Sequence, residues 1–250
     1  MTVADALGLV GIGVLAGVVS TVVSLASIIS YPALLAFGLP PLSANVTNTV
    51  SLVFTGLGAA AGSRPELAGQ GGRLLRLGGM AALGGMAGAA LLLVTPSGIF
   101  EAVAPWLVGL ASLLLLRPPK LENLARRRED GSGWRPRAGV ATVAVYVGYF
   151  GAAGGILMFA MLGSTLHDSP ARLNAMKNVL SALANAVAAV GFALFGPVRW
   201  TAALPLAAGF LVGGWLGPAL ARRLPGQTLR ITAAVCGLLV AVKLGLDTYL

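Results

Sequence analysis

The sequence predicts an all-α membrane protein of about eight transmembrane helices in two pseudo-symmetric repeats, with broken or re-entrant segments. Three observations predict it. Of 250 residues, 57% are hydrophobic and 10% charged, with a mean hydropathy of +0.88, where a soluble domain carries roughly a quarter charged residues. The apolar runs reach the roughly 20 residues that a helix needs to cross a ~30 Å hydrocarbon core, and they lack the ten-residue alternation of an outer-membrane barrel. The second half of the chain can also be laid on the first.

The runs fall at residues 6 to 37, 42 to 63, 74 to 94, 99 to 116, 138 to 163, 170 to 195, 201 to 221 and 229 to 248. The first follows "MTVADALGLV", which has no basic stretch and holds Asp5, so it reads as a membrane segment rather than a cleaved signal peptide. It contains Pro32 and is followed by Pro40 and Pro41, and the fifth run, "GYFGAAGGILMFAML", holds Gly148, Gly151, Gly154 and Gly155. Both predict broken helices, which at membrane depth need protein or a water-filled cavity to satisfy the freed backbone groups. Cys236 lies in the apolar run "AAVCGLLVAV" and reads as a small buried residue; a single cysteine forms no intrachain disulfide.

Between the fourth and fifth runs lies "RPPKLENLARRREDGSGWRPR", residues 117 to 137, a linker dividing a first repeat, 1–116, from a second, 138–250. Seven of the 17 Lys and Arg fall in it. This is the positive-inside pattern, so the linker is expected in the cytoplasm, and the net charge of +9 reports topology rather than a nucleic-acid partner. With eight simple spans and a cytoplasmic N-terminus, residues 64–76 and Arg199 also lie inside, and the basic 222–230 turn is an exception outside.

At an offset of 129 residues, Pro41 to Leu115 matches the second half without gaps, 17 of 75 pairs being identical. Pro41 falls on Pro170, Asn45 on Asn174, Gly62 on Gly191, Pro96 on Pro225, and Gly84, Gly85 and Gly88 on Gly213, Gly214 and Gly217. The excess over what the composition gives by chance is modest but falls on Pro, Gly and Asn, residues with positional meaning, and internal repeats are common in secondary transporters. Four spans per repeat make the repeats parallel; an inverted pair needs an odd number, which follows if 6 to 37 is not a simple span. The triplets in "GGMAG" and "GGWLG" predict close helix packing.

Polar residues concentrate in the matched stretches. "SANVTNTVSL" supplies Asn45, Asn48 and Thr49 after a helix start at Pro41, and "SPARLNAMKNVLSALAN" places Asn174, Lys177, Asn178, Ser181 and Asn185 on one helix face, with Ser169 as N-cap. Asn, Ser and Thr in membranes also serve simply to bond helix to helix. A lysine within a span is costly and marks a functional site, unless it lies shallow enough to snorkel; Lys177 is about 10 Å from Pro170. An ammonium beside amide and hydroxyl donors, below two helix N-termini, suits an anion. His167 beside Asp168 reads as a loop pair. No Ser-His-Asp set, phosphate loop or metal motif stands in the sequence, so neither an enzyme nor a cofactor is called for.

"GVLAGVVSTVVSLASIISYPALLAFGLPPLSANVTNTVSL" and "LNAMKNVLSALANAVAAVGFALFGPVRWTAALPLAAGFLVGGWLGPALARRLP" together resemble the sulfite exporter TauE/SafE family of bacterial membrane transporters. "ANVTNTV" and "LNAMKNVL" are the most specific parts. The resemblance implies a duplicated bundle in the bacterial plasma (inner) membrane that moves sulfur-containing anions such as sulfite, thiosulfate or organosulfonates. The chain departs from the family where a glycine-rich turn is expected: "SLASIIS" supplies Ser24, Ser27 and Ser30 instead. The expectation is a secondary transporter with Asn45, Asn48, Thr49, Asn174, Lys177 and Asn178 lining a midplane site, and Ser27, Ser30 and Ser181 as secondary contacts. Its partners are a small anionic substrate, the lipid bilayer and, with no signature for or against it, a second copy in a homo-oligomer. A passive channel, a carrier for another solute and a non-transporting scaffold are the alternatives.

Overall fold

The computed structural model describes residues 2–23, 26–116, 133–221 and 226–249; Ser24 and most of the linker lie outside them. Among the described residues the chain is helical without strands: α1 (Val3–Val23), α2 (Ala26–Ala36), α3 (Pro41–Gly62), α4 (Arg64–Leu67), α5 (Gly71–Val94), α6 (Ser97–Leu116), α7 (Trp134–Tyr149), α8 (Gly154–Thr165), α9 (Pro170–Phe195), α10 (Trp200–Ala221) and α11 (Gly226–Tyr249). Four stretches are long and apolar enough to cross a membrane: Val3–Thr21, Gly71–Val94, Pro170–Phe195 and Trp200–Gly217. The starts of α3, α5 and α6 recur 129 positions later at the starts of α9, α10 and α11.

Close glycine contacts fix which helices run together. A Cβ on Gly13 would meet the backbone of Leu206 and Gly209, and one on Gly17 that of Gly213 and Gly214. Register rises along both helices, so α1 and α10 are parallel. Likewise Gly84 abuts Ala141 and Gly88 abuts Val145, so α5 and α7 are parallel. Gly214 packs on Thr55 of α3, and Gly85 on Ala184 of α9. The "GGMAG" and "GGWLG" glycines therefore let backbones touch, as their spacing predicts, and each triplet serves a helix of the opposite half. By the same reasoning α3 and α9 run antiparallel, Gly56 meeting Ala182 and Gly196 meeting Val46. So do α6 and α11, where Gly109 approaches Ala241 and Gly237 approaches Ser112.

Two bundles result, each with its own core. In one, α1, α2, α3 and α10 pack around Leu9, Leu34, Val46, Leu206 and Phe210; in the other, α5, α7, α8 and α9 pack around Leu77, Val140, Met158, Leu162 and Leu180. The α6–α11 pair lies against the first, with Phe100 in its core. Call the end where α6 finishes and α7 begins the linker end, and the other the far end.

Two of the eight expected segments are hairpins. Segment 6 to 37 runs down α1 and back along α2, returning Phe37 beside Gly8. Segment 138 to 163 runs along α7 and back along α8, with Met161 beside Gly139 and Val147 beside Gly154. The second reversal is a turn at Phe150–Ala153, with Gly151 at φ 74° and Ala153 at φ 55°, left-handed values cheap only for glycine. Tyr146 closes it by donating its hydroxyl to the Ala152 carbonyl at 2.7 Å.

A hairpin returns the chain to the side it came from, and this corrects the expected sidedness. Arg199 does not share an end with residues 64–76: it precedes α10 at the far end, its amide donating to Thr47 Oγ1 near the start of α3 at 3.0 Å. Arg64, Arg73, Arg76, Arg135, Arg137 and Arg172 lie at the linker end, where α10 also ends and α11 begins. Arg222 and Arg223 of the basic 222–230 turn lie outside the described residues, but the helices that flank them end and begin at this end, and it is the N-terminus that lies opposite it. Cys236 is a second correction: it is exposed on the outer face of α11, because the face of that helix packed on α6 is formed by Gly237, Ala241 and Gly245.

Candidate functional site

A cavity of about 60 Å³ lies between the two bundles. That is room for a few waters or one compact ion. Its walls come from α3 (Leu52, Thr55, Gly56, Ala59), α9 (Lys177, Asn178, Ser181, Ala182, Asn185), the end of α1 (Ser20), the start of α2 (Ala26, Ser27), and the α7–α8 reversal (Val147, Gly151, Gly155). Pro41 and Pro170 start α3 and α9 at opposite ends of the molecule, so the two N-termini first read as the anion cradle are far from it. Those that reach the cavity belong to α2 and α8, the short returning arms of the hairpins. Each brings the positive end of a helix dipole.

The cavity is polar in an unfinished way. Thr55 Oγ1, Asn178 Nδ2, Ser181 Oγ and Asn185 Oδ1 are buried without a hydrogen-bond partner, and an unmet buried polar atom costs about 1–3 kcal/mol. Four such atoms converge on one hollow. Lys177 is 2% exposed and contributes its ammonium stem to the same wall; it faces the bundle interior rather than reaching the surface.

Of the residues assigned to the site in the sequence, the structure brings Lys177, Asn178, Ser181 and Ser27 together at the cavity. The others stand behind it. Asn48, fully buried, donates from Nδ2 to Ser27 Oγ at 3.1 Å and accepts at Oδ1 from Ser30 Oγ at 2.6 Å. It fastens the first turns of α2 to α3. Asn45 donates to the Tyr149 carbonyl at 3.0 Å and Asn174 to the Thr21 carbonyl at 3.5 Å. The matched asparagines thus do one job twice: each donates to a carbonyl in the last described turn of the opposite half's entering hairpin helix. Thr49 turns its hydroxyl back to the Asn45 carbonyl. Asp168 pairs with Arg73 at 3.0 Å and Arg172 at 3.2 Å, an arginine clasp at the linker end.

Sequence reasoning missed Thr55 and Ser20, and it noted Asn185 on the polar face of α9 without assigning it a role. Thr55 was legible: it lies seven residues after Asn48, on the same face two turns on. Nothing in the sequence marked the starts of α2 and α8 as the pair that meets.

A family model described as Sulfite exporter TauE/SafE matches residues 9–244. The chain belongs to the sulfite exporter TauE/SafE family. It is similar to the "Probable membrane transporter protein YfcA" of Escherichia coli strain K12, 25% identical over 240 residues covering 95% of this chain and 88% of the relative. The proteins of the same description from Escherichia coli O6:H1 and O157:H7 give the same figures. No solved structure matches the chain at a significant level. As a TauE/SafE protein with several apolar helices it is a multi-pass membrane protein, and its cavity lies between packed bundles.

Proposed function

We propose that this TauE/SafE protein is a secondary transporter of small, sulfur-containing anions that binds its substrate in the interbundle cavity. The observation that carries the reading is the convergence of two helix N-termini, the Lys177 ammonium and unpartnered hydroxyl and amide groups on one hollow. Broken helices aiming positive dipole ends at a substrate anion are a recurrent transporter device. The volume favours a compact oxyanion such as sulfite over a long organosulfonate in this conformation.

The same reading takes the halves as inverted repeats. Each holds one hairpin and three crossing helices, an odd number, and their packing is reciprocal: α1 lies on α10 as α7 lies on α5, and α3 on α10 as α9 on α5. Two inverted, interlocked halves with a cavity between them support alternating access by rocking of the bundles. The arginine-rich linker end is cytoplasmic by the positive-inside rule, in a bacterial inner membrane.

Reconstituted protein tests this. Sulfite flux into proteoliposomes should saturate and respond to an imposed ion gradient, and Lys177→Ala and Asn178→Ala should each reduce it severely while leaving the protein folded. Unchanged flux in both variants overturns the site; flux that neither saturates nor responds to any gradient makes the protein a channel.

A further inference from the structure

We infer that Tyr31, Phe100 and Phe150 form the gate between the anion cavity and the far end. The inference rests on the transport reading above. Beyond these rings, at the far end, lies a second and larger hollow of about 820 Å³, walled by Pro32 and Leu35 of α2, Gly98 and Glu101 of α6, and Lys243 and Asp247 of α11. A cluster of aromatic rings lies on the elements that wall both hollows. Tyr31 meets Phe150 edge-on at 5.7 Å between centroids, and Phe150 meets Phe100 at 6.0 Å, with Tyr149 against Phe100 at 6.2 Å. All three gate residues are buried.

Their neighbours in the chain place them on the path. Tyr31 lies one turn beyond Ser27 of the cavity wall and next to Pro32 of the outer hollow; Phe150 precedes Gly151 of the cavity wall; Phe100 lies between Gly98 and Glu101 of the outer hollow. The rings line neither hollow; they stand, buried, between chain neighbours that line one and chain neighbours that line the other.

The two cavity-side rings also sit on interrupted backbone. Pro32 has no N–H to give the Ile28 carbonyl, so α2 is weakened beside Tyr31, and Phe150 is borne by the non-helical turn after α7. Such positions absorb the backbone changes of a hinge more readily than a continuous helix does. The Tyr31 hydroxyl, moreover, is buried with no partner. The closed stack leaves that group unsatisfied, and opening toward the outer hollow gives it water. The gate is held by ring packing and opposed by its own hydroxyl, which keeps the closed state from becoming a trap.

The test reads accessibility in the full-length protein, in a Cys236→Ala background with Ser181→Cys as the reporter on the cavity wall. A membrane-impermeant thiol reagent is applied from each side of oriented vesicles. Phe150→Ala and Phe100→Ala should speed modification from the far end by about tenfold, as a shift in a two-state population does, without speeding it from the linker end. Tyr31→Phe keeps the ring, removes the unsatisfied hydroxyl and should slow far-end modification; it also serves if the alanine variants fail to fold. Unchanged far-end rates in the folded variants overturn the gate, as do rates that rise equally from both ends. Modification reports access whatever ion is carried. A gate that responds while sulfite flux is absent sinks the substrate reading alone, and flux that depends on Lys177 with an unresponsive gate sinks the gate alone.

Discussion

Asn48→Ala offers a test of whether the residues behind the cavity shape it. The carboxamide makes two hydrogen bonds to α2, but they are not equal. Ser30 has one hydroxyl proton and two acceptors, Asn48 Oδ1 at 2.6 Å and the Ala26 carbonyl at 2.8 Å, so it stays bonded when Asn48 is lost. The bond from Asn48 Nδ2 to Ser27 has no such substitute. At roughly 0.6–1 kcal/mol per interhelical hydrogen bond in a membrane protein, and with the Ser30 bond lost only in part, the two together account for about 1–1.5 kcal/mol. Removing the side chain beyond Cβ at a fully buried site leaves a void of roughly 40 Å³, which at ~24 cal/mol per Å³ adds about 1 kcal/mol. The expected destabilisation is thus about 2–2.5 kcal/mol, measured by reversible unfolding in mixed micelles. Because Ser27 and the start of α2 form part of the cavity wall, sulfite binding by isothermal calorimetry should weaken about tenfold, equivalent to ~1.4 kcal/mol, although Asn48 itself does not line the cavity. A variant within about 0.5 kcal/mol of the parent, the usual range for unremarkable sites, would refute the hydrogen-bond argument. Normal stability with lost binding would instead make Asn48 a direct contact.

Three further outcomes follow from the same geometry. Asn45→Ala should cost more stability than Asn174→Ala, since its bond to Tyr149 is 3.0 Å against 3.5 Å to Thr21; each loss should stay near 1 kcal/mol in an unfolding titration. Gly213→Val places a side chain into the Val14 carbonyl at the α1–α10 contact and should abolish the monodisperse peak in size-exclusion chromatography, whereas Gly191→Ala, whose new Cβ would find its nearest neighbour at 3.9 Å, should elute as the parent does. Asp168→Asn removes two partly exposed ion pairs, so it should change stability by no more than about 1 kcal/mol and only at low ionic strength.

Much of the fold was written in the sequence, because length and hydropathy of apolar runs are local properties. All eight runs coincide with a helix or a helix pair, and the offset of 129 that aligns Asn45 with Asn174 also aligns the helix starts. Reversal was not legible. Glycines at 148, 151, 154 and 155 announce a break, but whether the chain continues or doubles back depends on what packs beside it, here Met161 against Gly139. That single ambiguity carried the error in the placement of Arg199 and the N-terminus. The site was half legible for a similar reason. Lys177, Asn178 and Ser181 share a face by helical period, but Asn48 and Asn174 look the same in sequence and turn out to hold backbone and neighbouring helices in place. Ser27 and Gly155 reach the cavity only because two hairpins enter from opposite ends.

The crossed pairing of α1 with α10 and α5 with α7 has a consequence for how the protein is made. Trp200 follows Val23 by 177 positions, so at synthesis rates of about 5–20 residues per second α1 waits roughly 9–35 s for its main partner to emerge. During that interval its glycine face, cut to fit a backbone that does not yet exist, has only lipid or the insertion machinery to lie against. The first half is therefore not a folding unit that the second half decorates; neither is finished until both are in the bilayer.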